Sequence, residues 1–124
     1  MGYYAKVVNG YVVNVIRAEP EFFEKLVDSE PGIWVETDKK VQAGVHSEGG
    51  VPLRKNYAGP GFEYDEDLDA FIPPKKHKSW IFNEETCQYD PPTPLPGDSK
   101  DYFWDEEKGI WEDISKAKKP VKVR

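Results

Sequence analysis

Three aspartates alternate at Asp65, Asp67 and Asp69, the spacing with which a calcium-binding loop opens. Such a loop needs glycine next and an acid at its twelfth position. Those positions hold Ala70 and Lys76, so a solvated hairpin turn is the better reading. The two histidines, His46 and His77, have no Cys, Asp or Glu at ligand spacing, which speaks against zinc. The single cysteine, Cys87, permits no internal disulfide. It is a nucleophile only if the fold brings it a histidine, and a structural turn thiol is the simpler reading. Gly59-Pro60-Gly61 lacks the Gly-Lys-Ser/Thr ending and the following helix of a phosphate-binding loop. The acid pairs Glu84-Glu85 and Glu106-Glu107 fall in predicted turns, where nothing would desolvate them and raise a pKa for acid catalysis. The chain therefore reads as a non-enzyme with no metal and no cofactor.

What the chain does supply is aromatic surface. Four Trp, seven Tyr and six Phe make up 14 % of the residues. Trp80, Trp104 and Trp111, with Tyr64, Phe82, Tyr89 and Tyr102, have the flat faces that sugar rings or protein partners stack on. The competing reading is that they pack between hairpins, replacing the aliphatic core that short strands lack. The thin apolar supply elsewhere favours packing.

The elements that position these rings repeat. Residues 62–71, 80–89 and 102–111 share one pattern: aromatic, any, aromatic, Asp or Asn, Glu, acid, three variable positions, aromatic. Each copy reads as a hairpin in which the second and third aromatics face each other across a four-residue loop. The last loop position needs positive φ. Gly109 suits it, Asp69 is tolerated and Cys87 fits poorly, so the second turn is expected to be distorted. Asp65, Asn83 and Asp105 stand where a short side chain accepts loop N–H groups. Ile72-Pro73-Pro74 and Pro91-Pro92-Thr93-Pro94-Leu95-Pro96-Gly97 read as extended connectors.

Upstream, Asn9-Gly10 between two β-branched runs predicts a hairpin with a type I′ turn, pairing Val8 with Tyr11, Lys6 with Val13 and Tyr4 with Val15. Its apolar residues lie on both faces, so other structure should cover both. Residues 18–28 read as one short helix with a stripe of Phe22, Phe23, Leu26 and Val27. Residues 33–37 read as a strand. From 39 to 60 apolar periodicity disappears and glycines accumulate. Such a loop is a contact arm or a mobile segment that a neighbouring subunit would order.

The chain has 124 residues, 23 acids against 17 Lys and Arg, a formal charge of −6 and a mean hydropathy of −0.74. No apolar run approaches the ~20 residues of a membrane span. The start, Met1-Gly2-Tyr3-Tyr4, lacks the basic-then-apolar pattern of a targeting segment. Lys116, Lys118, Lys119, Lys122 and Arg124 form a basic tail over 115–124. With no aromatic partners, it is a weak nucleic-acid signal on an acidic body.

The run Pro52-Leu53-Arg54-Lys55-Asn56-Tyr57-Ala58-Gly59, followed by Tyr64-Asp65, Asp69-Ala70-Phe71-Ile72-Pro73-Pro74 and Ser79-Trp80, resembles a family of small proteins of tailed bacteriophages of marine bacteria. The opening hairpin and the stretch from Tyr102-Phe103-Trp104-Asp105 to Trp111 are similar to it as well, so the resemblance covers most of residues 3–114. It implies a virion-associated structural protein, tail-associated or head-decorating, with no enzymatic role. The tail 115–124 has no counterpart in it.

The expectation is thus a mainly β chain of successive antiparallel β-hairpins with proline-rich connectors and one short helix. One β-rich domain over 1–114 comprises hairpin, helix and strand (1–38), an irregular loop (39–60) and three hairpins (61–114), before the tail (115–124). The expected place is the virion, after synthesis in the host cytoplasm. The expected partners are other virion proteins, in multiple copies or a hetero-assembly, with neither nucleic acid nor membrane. The alternative is a carbohydrate-binding module for host-surface glycans. Candidate contact residues in either case are Trp80, Trp104, Trp111, Tyr57, Arg54 and Asn56.

Overall fold

The computed structural model describes residues 2–27, 30–98 and 100–114; the basic tail lies outside them. The chain is mainly β. It groups into two compact units, one of residues 1–74 with 82–89, the other of residues 75–81 with the chain from 90 onward.

The first unit starts with β1 (Gly2–Val8) and β2 (Tyr11–Ala18), joined through Asn9 (φ 52°) and Gly10 (φ 83°) as a type I′ turn requires. Next to the turn the register is the expected one: Val8 pairs with Tyr11 and Val7 with Val12. Beyond it a bulge skips Val13, so Lys6 faces Asn14 and Tyr4 faces Ile16, one residue past the expected partners. Burial explains the slip. An unbroken ladder would set Asn14 across from Ala5, on the inner face. The bulge sets Val15 there instead, and Val15 packs against the core with Val12 while Val13 and Asn14 turn to solvent.

The short helix α1 (Phe22–Lys25) is a single turn, not the span 18–28. Leu26 is already extended (ψ 123°) and Val27 is 93 % exposed, so the apolar stripe never forms. One aromatic anchor is enough for so short an element. Phe23 sits 4.5 Å from Tyr4 and 5.4 Å from Trp34, covering the outer face of the sheet. Both faces of the opening hairpin are covered, as its two-sided apolar pattern requires.

Strand β3 (Ile33–Thr37) pairs antiparallel with β1. Segment 39–60 contains the two-residue strands β4 (Val41–Gln42) and β5 (Val45–His46), paired antiparallel. Its tether is backbone hydrogen bonding: Gly44 N–H to Lys55 O (2.8 Å), Tyr57 N–H to Val41 O (2.9 Å) and Ala58 N–H to Thr37 Oγ1 (2.9 Å). The expectation of an irregular loop is corrected here to a segment with two short paired strands. Apolar periodicity was the wrong gauge, because polar contacts hold the segment.

The three repeated hairpins follow as β6 (Glu63–Asp65) with β7 (Ala70–Ile72), β8 (Ile81–Asn83) with β9 (Gln88–Asp90), and β10 (Tyr102–Asp105) with β11 (Ile110–Asp113). The first joins the main sheet, whose order is β3-β1-β2-β6-β7. Tyr64 pairs with Phe71 and Trp104 with Trp111, while the Phe82 and Tyr89 rings lie 5.3 Å apart. In every copy the last loop residue is left-handed: Asp69 (φ 47°), Cys87 (φ 51°) and Gly109 (φ 65°). The residue before each loop accepts the predicted bonds, from Leu68 N–H to Asp65, Glu85 and Thr86 N–H to Asn83, and Lys108 N–H to Asp105. The second turn is no more distorted than the others.

All three residues of β7 are buried. Alternation sends Phe71 into a cluster with Ala5, Val7, Val12, Val35 and Ala58. Ala70 and Ile72 join Cys87, Phe82 and Tyr89 in a second cluster within the same unit. Burying a side chain of the size of Phe71 contributes ~1.5–3 kcal/mol.

Candidate functional site

The candidate contact residues divide between the two units. In the first, Arg54, Asn56 and Tyr57 lie in one short segment. Arg54 and Lys55 are both left-handed (φ 51° and 63°), a conformation that costs a non-glycine residue ~1–3 kcal/mol. The kink brings the segment alongside the free edge of β7: Phe71 N–H donates to Arg54 O (3.2 Å) and Asn56 Nδ2 donates to Phe71 O (2.9 Å).

Asn56 is 2 % exposed. Its amide nitrogen also reaches Thr86 O (3.0 Å) and Cys87 O (3.1 Å) in the second hairpin turn. Its Oδ1 accepts from Ala43 N–H (2.9 Å) and Gln88 Nε2 (2.9 Å). An amide with every donor and acceptor engaged inside the protein has nothing left for a partner. Asn56 is a clasp joining segment 39–60, the first hairpin and the second.

Arg54 is similarly occupied. Its Nε donates to Asp69 Oδ1 (3.0 Å) and its Nη1 to Glu36 O (3.0 Å). Asp69 Oδ1 also receives the Tyr64 hydroxyl (2.8 Å). Burial, assisted by that bond, raises the Tyr64 pKa against the opposing pull of Arg54. Tyr57, unlike Asn56 and Arg54, makes no side-chain hydrogen bond among the described residues, and it borders open space. It lines a groove of about 530 Å³ with Val41, Gln42, Val45, Phe62 and Pro73, flanked by Lys39 and Lys40. The Tyr57 pKa is raised by burial and then by Tyr3, whose ring meets it edge-on at 5.6 Å.

In the second unit the three tryptophans come together. Trp104 and Trp111 stand 5.2 Å apart, and Trp80 lies 6.3 Å from each. Trp104 is 8 % exposed, so its faces are packed rather than presented. The Trp104 indole N–H donates to Glu106 Oε1 (2.8 Å) and that of Trp111 to Thr93 O (2.8 Å). The buried Trp80 Nε1 has no partner among the described residues. Glu106 additionally accepts Ser79 Oγ–H (2.6 Å) and Ser79 N–H (3.1 Å). Those bonds, Ser79 first and Trp104 second, hold its carboxyl below the usual range.

Compared with family models, curated proteins and solved structures, the chain matches none.

The sites proposed for chemistry resolve as turn architecture. Asp65 caps its loop and Asp69 bridges Arg54 and Tyr64, and no metal-holding group of His, Cys, Asp or Glu occurs among the described residues. His46 Nε2 lies 3.4 Å from Asp38 Oδ2 while its Nδ1 accepts Glu48 N–H (3.0 Å). Cys87 is fully buried, with its thiol pushed up by that burial, the opposite of an activated nucleophile. Glu106 is the exposed turn acid that its position predicts, and what the sequence reading lacks is its role as an acceptor. The signal for it was Trp104 two residues upstream, an indole N–H in search of an acceptor.

Proposed function

We propose that the protein is a structural component of a tailed-bacteriophage particle, tail-associated or head-decorating, acting through protein–protein contacts. The observation that carries this reading is the outer edge of β2. Only Tyr11 pairs with β6, and Val12 bonds to Gly61 and Phe62, so on the side away from β1 residues 13–18 have no strand beside them among the described residues. An open edge is a template for another chain, and stable monomers usually keep theirs short or charged. A bulge and the exposed Arg17 interrupt this edge, yet it still presents Val13, 53 % exposed, and ends near Tyr11, 55 % exposed. The resemblance of the 52–80 sequence run to phage proteins supplies the setting.

Because Cys87 is buried, a Val13→Cys substitution adds a single fast-reacting thiol at this edge. Carried on the phage genome and coupled to a short photocrosslinker in purified particles, it should link the protein to a named virion protein. Absence of the chain from purified particles by mass spectrometry refutes the reading. The glycan alternative gains nothing from Trp104, which is packed away, or from Asn56, which is saturated.

A further inference from the structure

We infer that Asn14 is a catch on the open edge of β2, and that it acts twice against a second copy of this chain but once against another protein's strand. The catch is its hold on the Val15 N–H, which any added strand needs. The inference rests on the proposed function in taking this edge as the contact surface; it adds the residue that controls the edge and the partner it disfavours.

The ladder fixes which backbone groups face outward. In a two-residue hairpin the closing pair, here Val8 and Tyr11, exchanges its hydrogen bonds, and such pairs alternate along the strands. Val12, in the next pair, turns away from β1, and its N–H and C=O meet Phe62 O and Gly61 N–H, both at 2.8 Å. On β1 the alternation is unbroken, so Val8, Lys6 and Tyr4 face β2 while the residues between them face β3. Their partners Tyr11, Asn14 and Ile16 face back toward β1. Val15 and Arg17 therefore turn their N–H and C=O groups outward, and these are what the open stretch offers a new strand. One of the two donors is already engaged. Val15 N–H donates to Asn14 Oδ1 at 2.9 Å. Asn14 is exposed, so this bond supports no core, but it competes with a strand for the same hydrogen.

A strand that adds here brings a carbonyl oxygen to Val15 N–H, and Asn14 must first let go. A second copy faces that requirement on both sides. Antiparallel pairing of two β2 edges about a two-fold axis draws the Val15 N–H of each copy into the ladder, so both asparagines release. A strand from a different protein asks for one release. One exposed hydrogen bond is worth a factor of about three to ten in an equilibrium, and two copies pay the square of it. The exposed Val13 and Tyr11 attract either partner, so discrimination falls to the catch.

The test compares the full chain with Asn14→Ala, which removes the acceptor, and Asn14→Asp, which keeps it. In amide hydrogen exchange read by NMR, Val15 should exchange about three to ten times faster in Asn14→Ala and no faster than the parent in Asn14→Asp. In sedimentation equilibrium Asn14→Ala should dimerise at concentrations about ten- to a hundredfold lower than the parent. A trace of labelled Asn14→Ala in excess parent should pair at an intermediate strength, with one catch left. Unchanged exchange at Val15, faster exchange without tighter self-association, or Asn14→Asp pairing as tightly as Asn14→Ala each overturn the proposal. A chain that crosslinks at position 13 in particles while Val15 exchange ignores position 14 sinks this inference alone. The expected exchange and association in a chain absent from particles sink only the virion reading.

Discussion

Asn56 in the first unit and Glu106 in the second do the same task by opposite means. Each is one polar side chain gathering groups that strands leave unpaired. Asn56 is neutral and buried, and both donates and accepts. Glu106 is charged and exposed, and only accepts, from Ser79 and Trp104. Surroundings account for the choice. The first unit has an aliphatic core where an unpaired charge would be costly, so a neutral amide serves. The second closes on three tryptophans, of which Trp104 gives its N–H to Glu106, and water at its margin tolerates a carboxylate.

The largest effect should come from removing the buried clasp. Asn56→Ala strands the carbonyls of Phe71, Thr86 and Cys87 and the N–H of Ala43. Each buried group left unpaired costs ~1–3 kcal/mol, enough in sum to unfold a unit of this size. Cys87 reports the outcome: inert to alkylation in the parent protein, it should label rapidly in the variant. Slow labelling with an unchanged melting temperature would make Asn56 a bystander.

Next comes Trp104→Ala, which removes the most buried of the three tryptophans and leaves Glu106 one donor short. A loss of ~3–5 kcal/mol in the second unit is expected, read from the fluorescence of Trp80 and Trp111. Cys87 protection should hold, because its cluster draws on the first unit alone. Rapid Cys87 labelling in this variant would show that the two units melt as one.

How far these clasps were legible depends on the range of the contact. The hairpins were legible because a turn constrains only its own neighbours: Asn9-Gly10, and the Asp or Asn before each four-residue loop, state their geometry locally. The bulge was recoverable from Val12 and Val15, three apart yet both apolar, which an unbroken strand cannot place on one face. Segment 39–60 was not legible. It is held by Asn56 through partners up to 32 residues distant, and no periodicity marks such contacts. The helix was overread because Phe22, Leu26 and Val27 match a stripe, whereas Phe23 alone found a surface.

Acid should separate the two clasps more gently than mutation. The Glu106 carboxyl is held low by Ser79 and Trp104, and that of Asp98 by the Tyr102 hydroxyl. A lowered folded pKa contributes stability that is complete above the unfolded value, about 4.3 for Glu and 3.9 for Asp, and is lost as pH falls through the folded value. The tryptophan signal should therefore weaken in that window before Cys87 becomes reactive, and Glu106→Gln should flatten the difference. At the alkaline end Tyr102, raised to about 12 by its bond to Asp98, gives the reverse sign: stability complete below about 10 and lost as pH rises through the raised value. Simultaneous loss of both signals in acid would argue against independent clasps.

The smallest effects lie in the three turns, which share one backbone and fill its left-handed position with three different residues. Gly109 meets nothing within 4 Å of where a Cβ would sit, so its only task is the positive φ. Gly109→Ala should cost about 1 kcal/mol from backbone strain, and Gly109→Asn less, because asparagine tolerates that conformation. At Cys87 the same strain is already present, and Cys87→Gly would relieve it. Yet the thiol is fully buried among Ala70, Ile72, Phe82 and Tyr89, and losing that packing outweighs the relief. Asp69 is a third case, since its carboxylate holds both Arg54 and the Tyr64 hydroxyl. Glycine is thus the better residue only where the turn's side chain has no other work. Thermal denaturation of Asp69→Gly and Cys87→Gly should show both below the parent protein, and a rise in either melting temperature would mean that backbone strain, not the side chain's contacts, dominates at that turn.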